Sequence, residues 1–309
     1  MRILMATLAL AFILSASNAC AWSGAGHEVI AATAYRQLSP KLKAKVTKIL
    51  QAHPDYEKWK SSFTGDAASL DLDTFVFMRA STWPDEIRRH GNHYDHPRWH
   101  YVDYPLRPPS FPAEPAPNPN DDVLYGIGQA EKILASSKTP PAERAVFLSW
   151  LIHLVGDSHQ PLHCASLFTE TRPSGDKGGN DFYVKPGARE VRLHSLWDGL
   201  LGTSSKPQTH LNDAIRIEAD FPKTSLPELK KAKTPKDWSL ESRGLAVEKA
   251  YLHGELKGAT SAEDAPALPD GYTQESKTVA ERQAALAGYR LAAEIEHCLK
   301  WRLRLFALN

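Results

Sequence analysis

The stretch Phe147-Leu-Ser-Trp-Leu-Ile-His-Leu-Val-Gly-Asp-Ser-His-Gln-Pro-Leu-His163 sets the reading of the whole chain. Its first half lies in the helical pattern Ala142–Ser158, where Trp150, Leu151, Ile152, Leu154 and Val155 surround His153. A helix that is apolar on all sides belongs inside a protein. His153 and Asp157 are four residues apart, so a helix sets them on one face. Burying Asp157 beside such a segment is costly unless something cationic neutralises it. Pro161 then stops the helix and delivers His163 just past its end.

About thirty residues on, His194-Ser-Leu-Trp-Asp198 repeats the same His/Asp spacing. One such pair can be a surface hydrogen bond. Two pairs on two helices are a recurring way to build a metal site in a helical core. Outward from these two strings the chain is dominated by helical patterns: His27–Leu38, Lys41–Gln51 behind Pro40, Leu70–Ala80, Asp121–Ser137, His194–Leu201, Trp238–His253 and Ser276–Phe306. In the last segment Leu291, Ile295, Cys298 and Leu299 share a face. Residues 90–104 show no period and read as an ordered loop; residues 105–119, with seven prolines, read as an extended connection. A glycine-bearing turn at Gly175–Asn180 precedes a short strand-like stretch, Asp181–Val184. The expected fold class is all-α, a single mainly helical domain with long irregular loops.

Met1-Arg2, the apolar run Ile3–Leu14 and Ala19-Cys20-Ala21 have the form of a secretory signal peptide cleaved after Ala21. The processed domain would run over 22–309 and begin at Trp22, in a secreted or periplasmic location. Acylation at Cys20 is the rival processing, but Ser17 stands where such a signal carries Leu. No second apolar segment is long enough to cross a membrane. Loss of Arg2 from a chain of net charge +1 leaves the rest close to neutral, which argues against gripping nucleic acid through a broad basic face. An oxidising compartment permits a disulfide between Cys164 and Cys298, closing a long loop.

Trp22-Ser-Gly-Ala-Gly-His27, the string TWPDEIR (Asp85, Arg88), RWHYVD (His100), the opening stretch (His153, Asp157, His163), KGGN (Asn180) and LHSLWD (His194, Asp198) together resemble the trinuclear-zinc, single-strand-specific nucleases. Trp238, Glu241, Ser242 and Tyr251 extend the likeness to about residue 251. That family shares its fold with the zinc-dependent phospholipases C. Carried over residue by residue, the resemblance implies three zinc ions. One is held by Asp85, His100, His153 and Asp157; a second by the amino group and carbonyl of Trp22 with His27 and, bridging, Asp157; a third by His163, His194 and Asp198. Imidazole and carboxylate donors suit zinc.

The resemblance further implies hydrolysis of single-stranded DNA and RNA to 5′-phosphate products, with 3′-nucleotidase activity on nucleotides. Water made acidic between the bridged pair attacks phosphorus, and the third ion stabilises the departing 3′-oxygen. Asp157 and Arg88 are then the catalytic residues, Arg88 as the phosphate contact. Tyr101 stacks a base, Asp103 bonds its edge, and Asn180 completes the substrate set. The sequence departs from fungal members at Pro105, after Tyr104, where some carry an acid, and at Leu200, where some carry an amide. A phospholipase C-like hydrolase and a non-catalytic zinc-binding protein are the alternatives; Tyr101 with Asp103 argues against the first and Arg88 against the second. No obligate protein partner is implied. His53, His90, His93, His96, His159, His210, His253 and His297 match no ligand position.

Overall fold

The helix over Pro141–Asp157 is buried along its whole length from Arg144 onward, as its uninterrupted apolar character requires. The computed structural model describes residues 22–88, 90–107 and 120–305. The expected signal peptide and most of the proline-rich connection lie outside the described residues. In chain order the described helices are α1 (Gly24–Gln37), α2 (Pro40–Leu50), α3 (Tyr56–Ser61), α4 (Leu72–Glu86), α5 (Val123–Ala135), α6 (Pro141–Asp157), α7 (Leu193–Asp198), α8 (Pro207–Asp220), α9 (Glu228–Lys231), α10 (Pro235–Leu245) and α11 (Tyr272–Leu305). Two minimal sheets accompany them: β1 (Pro105–Leu106) runs parallel to β2 (Ser166–Leu167), and β3 (Tyr183–Val184) antiparallel to β4 (Val191–Arg192). The fold is mainly helical. No described helix is long and apolar enough to cross a membrane.

Helix starts follow local chemistry. The side chains of Ser23, Ser39, Asp71 and Asp122 each accept a backbone N–H of the first turn that follows them. Pro40 occupies the first turn of α2, where its missing N–H costs nothing. Helix α6 packs against α4 and α5, while α1 packs against α4, α8 and α11, so one contiguous core joins the ends of the described chain.

Besides the short helices α3 and α9, three elements differ from the sequence expectation. Helix α4 continues past Ala80 to Glu86 with Pro84 inside it, because Ala80, Ser81, Thr82 and Trp83 are all buried and packing outweighs the proline penalty. Helix α8 is absent from the sequence reading: only His210, Ala214 and Ile217 of its residues are buried, a stripe too narrow to read as periodic. The segment Trp238–His253 is not one helix; α10 ends at Leu245, one π turn spans Ala246–Ala250, and Leu252 and His253 break it with positive φ.

The expected disulfide is not formed. Cys164 and Cys298 are both free and buried, and each is used elsewhere. The Cys164 thiol donates to the Ser158 carbonyl (3.5 Å) under α6, whereas the Cys298 thiol lies against Glu294 of its own helix (3.7 Å). Burial pushes both thiols well above the ordinary thiol range, which leaves them as small apolar side chains.

Close packing of α1 on α11 gives a test. A Cβ at Gly288 would stand 2.4 Å from Thr33 Cγ2 and 3.3 Å from the Ile30 carbonyl. Helix propensity alone makes glycine to alanine favourable by about 1 kcal/mol. Gly288→Ala is expected to reverse that sign and destabilise by about 1–3 kcal/mol through overpacking, read as a lowered Tm; an unchanged or raised Tm would show the helices free to part.

Candidate metal centre

The last turn of α6 presents His153 and Asp157 to the same buried space. Asp157 Oδ2 lies 3.1 Å from His153 Nε2 and 3.2 Å from His100 Nδ1, while its other oxygen, Oδ1, lies 3.4 Å from His27 Nε2. Asp85 Oδ1 closes the group from α4, 3.7 Å from His100 Nδ1 and 3.8 Å from His153 Nε2. Donors at about 2.0–2.1 Å on a tetrahedral ion stand about 3.3 Å apart, so these spacings suit atoms sharing an ion. A second group follows the end of α6: His163, His194 and Asp198, with His194 Nε2 3.5 Å from Asp198 Oδ2. Among the described residues three sets have mutually close ligand atoms: His27–Asp85–His153, His100–His153–Asp157 and His163–His194–Asp198.

The ring orientations fit ligation. His153, His163 and His194 each donate Nδ1–H to a carbonyl, those of Ser81 (2.7 Å), His100 (2.6 Å) and Gly178 (2.7 Å). A neutral imidazole so held keeps the Nε2 lone pair for a metal. His27 Nε2, His163 Nε2, Asp85 Oδ1 and Asp157 Oδ1 are buried without any hydrogen-bond partner. Buried polar atoms are almost always paired, so this set of orphan lone pairs fits the donor set of a cation. The Ser81 carbonyl that accepts His153 lies on the last turns of α4, one turn before Asp85.

Local backbone explains His194. Lys177, Gly178 and Gly179 are three consecutive residues with positive φ, and a Cβ at Gly178 would lie 2.3 Å from the Leu162 carbonyl. Only glycine fits there, and the turn aims the Gly178 carbonyl at His194. Gln160, which the sequence reading passed over, is fully buried and donates Nε2–H to Asp198 Oδ1 at 2.7 Å. Its position between Asp157 and His163 was the available signal. Trp22 is also fully buried: its indole donates to the Gly156 carbonyl (3.0 Å), and the Ser23 N–H donates to the Asp198 carbonyl (2.9 Å). The start of the described chain is thereby pinned between the two groups.

Charge inside the site is unbalanced. Burial opposes ionisation of Asp157, but the imidazoles of His153 and His163 and hydrogen bonds from His100 and His153 hold its pKa well below the carboxylate range. Burial pushes Asp198 well above that range, with Asp85 and Asp157 adding to it. Although burial opposes its charge, His153 is raised to about 9 by the Asp157 and Asp85 carboxylates. Divalent cations would neutralise this set of buried carboxylates.

Other expected site residues surround the groups. Arg88 lies one turn beyond Asp85, its Nη1 3.6 Å from Asp85 Oδ1. Tyr101 is half-buried on the segment after His100; burial raises its hydroxyl pKa, Asp103 adds to that, and Arg98 and Arg88 oppose it. Asp103 is exposed, yet desolvation by the surrounding protein and the nearby Asp176 push it up to about 6. Asn180 donates to the Lys177 carbonyl and leaves its own buried Oδ1 without a partner. Leu200 is buried in the core and Pro105 begins β1, so neither offers a polar group to the site. The remaining described histidines lie outside the three sets: His53 stacks on Trp59, His96 on Trp99, His159 bonds Arg290 and His210 bonds Glu28.

A family model described as S1/P1 nuclease matches residues 22–300. Among individual proteins the chain is similar to endonuclease 4 of Arabidopsis thaliana, 26% identical over 90% of this chain and 89% of the relative. Endonuclease 3 of the same plant is 24% identical over 94% of this chain and 92% of the relative. Endonuclease 2 is 23% identical over 96% of each.

Without a bound ion, His153 holds a proton at pH 7, because its pKa stands near 9 instead of the ordinary 6.5. Zinc takes only the neutral ring. Metal uptake at pH 7 is therefore expected to expel at least one proton, measured by calorimetry in buffers of different ionisation heat, and the affinity should climb with pH until about 9. For the ion-free protein the sign is opposite: the protonated His153 beside Asp157 contributes stability in full below about 6.5, lost as pH rises through about 9. Proton-neutral uptake at pH 7 would contradict the pairing.

Proposed function

Because this chain belongs to the S1/P1 nuclease family, we propose that it is a zinc-dependent phosphodiesterase. It cuts single-stranded DNA and RNA to 5′-phosphate products and removes 3′-phosphates from nucleotides. The observation that carries the reading is Asp157, fully buried, with one oxygen facing His100 and His153 and the other facing His27. So placed, the carboxylate could serve one ion with each of its oxygens. His163, His194 and Asp198 form the place for a third.

When bound, zinc supplies acidified water and neutralises charge on the phosphate and on the leaving 3′-oxygen. The chain's own residues do the rest. Arg88, beside Asp85 at the rim of the first group, offers a planar guanidinium to two phosphate oxygens. Tyr101 presents a ring on which an unpaired base can stack. A base held in a duplex cannot be presented in this way, which supports a single-strand preference. Asp103 accepts a hydrogen bond from the base edge when ionised, so with a pKa of about 6 its contribution falls as the medium becomes more acidic. Gln160 and the carbonyls of Ser81, His100 and Gly178 hold the ligand side chains in place.

Signal cleavage after Ala21 would make the Trp22 nitrogen a free amino group, on a residue whose indole donates to the Gly156 carbonyl. An α-amine titrates near 8 and can yield its proton to a metal, whereas an amide nitrogen cannot. The enzyme is then competent only after export, secreted or periplasmic.

The decisive experiment combines metal analysis of the processed protein with digestion of single-stranded DNA, RNA, duplex DNA and a phosphatidylcholine emulsion. Zinc in the protein, rapid loss of the single strands, slow loss of the duplex and products ending in 5′-phosphate and 3′-hydroxyl are expected. Products ending in 3′-phosphate, or turnover of the lipid alone, would overturn the reading. A version carrying one methionine before Trp22 should bind less zinc and turn over orders of magnitude more slowly; equal zinc and equal rates would remove the amino terminus from the ligand set.

A further inference from the structure

The segment that leaves the metal centre at His100 leads to a second recess. Its backbone runs beside the strand after His163: the Val102 N–H donates to the His163 carbonyl, the Ser166 N–H to that of Tyr104, and the Phe168 N–H to that of Leu106. Extended residues alternate faces. Val102 and Leu106 are buried, while Tyr101, Asp103 and Arg107 are half-buried or exposed on the opposite face. From Val102 to Leu106 this track covers roughly 13 Å at about 3.3 Å per residue. It ends at a cavity of about 590 Å³ whose lining includes Leu106, Arg107, Leu167, Arg243, Tyr251 and His253.

The lining carries two arginines and no carboxylate. The Arg243 guanidinium donates to the Pro105 carbonyl at 3.4 Å, and among the described residues no acid forms an ion pair with it. The Tyr251 hydroxyl is tied to Asp176 (2.7 Å), which fixes that wall. The backbone of that same wall is unusual. A π turn over Ala246–Ala250 is followed by Leu252, His253 and Gly254, all with positive φ. Such turns and such φ values at non-glycine residues cost free energy and recur at binding sites.

We propose that this cavity is a subsite for a backbone phosphate and sugar of the single strand, beyond the nucleotide held at Tyr101. Arg243 and Arg107 take the phosphate oxygens, and Leu106, Leu167 and the Tyr251 ring face the sugar. The subsite rests on the nuclease reading for the direction of the strand. It explains how a chain of nearly neutral charge retains polymeric substrate: positive charge is placed at one point along the track instead of over a broad face.

The test is equilibrium binding to the zinc-loaded protein, followed by fluorescence anisotropy. The probes are a non-hydrolysable phosphorothioate single strand of about ten nucleotides, within the usual span of single-strand grooves, and the corresponding dinucleotide. Arg243→Gln is expected to weaken the long strand about ten-fold, the usual worth of a charged hydrogen bond, and to lower the slope of log affinity against log salt by about 0.7. The dinucleotide should bind Arg243→Gln and the parent protein alike, and Arg243→Lys should recover part of the loss. If Arg243→Gln lowers Tm, Arg107→Gln at the exposed end of the track must show the same length-dependent loss. Equal binding of the long strand by parent and variants, or an equal loss on the dinucleotide, overturns the subsite. Cleavage of ordinary single strands by the parent is scored separately: Arg243-dependent binding without cleavage keeps the subsite and removes the nuclease, cleavage with Arg243-independent binding does the reverse, and absence of both removes both.

Discussion

Everything in this molecule is arranged around one buried carboxylate. Asp157 has no exposed surface, sits at the end of a buried helix, and keeps its charge because imidazoles approach both of its oxygens. A carboxylate in such a place is tolerable only with cationic partners. The need to bring those partners in from distant segments explains much of the topology. His27 comes from α1, Asp85 from the end of α4, His100 from an irregular segment, and His163 from the turn after α6.

Three of the imidazoles, those of His153, His163 and His194, are held by carbonyls. Ser81, His100 and Gly178 each accept an imidazole N–H through the backbone. This ties ring orientation to the path of the main chain, which moves less than a side chain does. It also explains two local oddities. A proline is accommodated inside α4 next to the turn whose carbonyl is wanted, and a run of left-handed residues brings Gly178 close under Leu162. In both places the backbone departs from its easiest course where the site needs a carbonyl.

Outside that shell the protein uses histidine and cysteine as ordinary packing groups. His53 lies between Trp59 and Trp83, and burial lowers its pKa to about 3, so it stays neutral. His159 is held neutral by burial and by Arg290. The two cysteines are each committed to a different neighbourhood, Cys164 beneath α6 and Cys298 beside Glu294 and Glu131. Residue type alone does not distinguish these groups from the ligands. What separates them is whether the second ring nitrogen faces a carbonyl or charged partner, or the donor atoms of other His and Asp side chains.

The sequence by itself determined the helical class and the His/Asp pairs that share a helix face. His153 with Asp157, and His194 with Asp198, are legible because helix periodicity fixes which side chains share a face over one turn. The apolar flanks of His153 announced burial for the same reason. Helix α8, the extension of α4 through Pro84 and the break after Leu245 were not legible, since each depends on which face is covered by a distant helix. Likewise the roles of Gln160, Ser81 and Gly178, the separation of the two cysteines and the recess beyond Tyr101 exist only after segments far apart in the chain are brought together. Local spacing acts through the geometry of one element, whereas these features are set by packing between elements, and only the tertiary structure decides that.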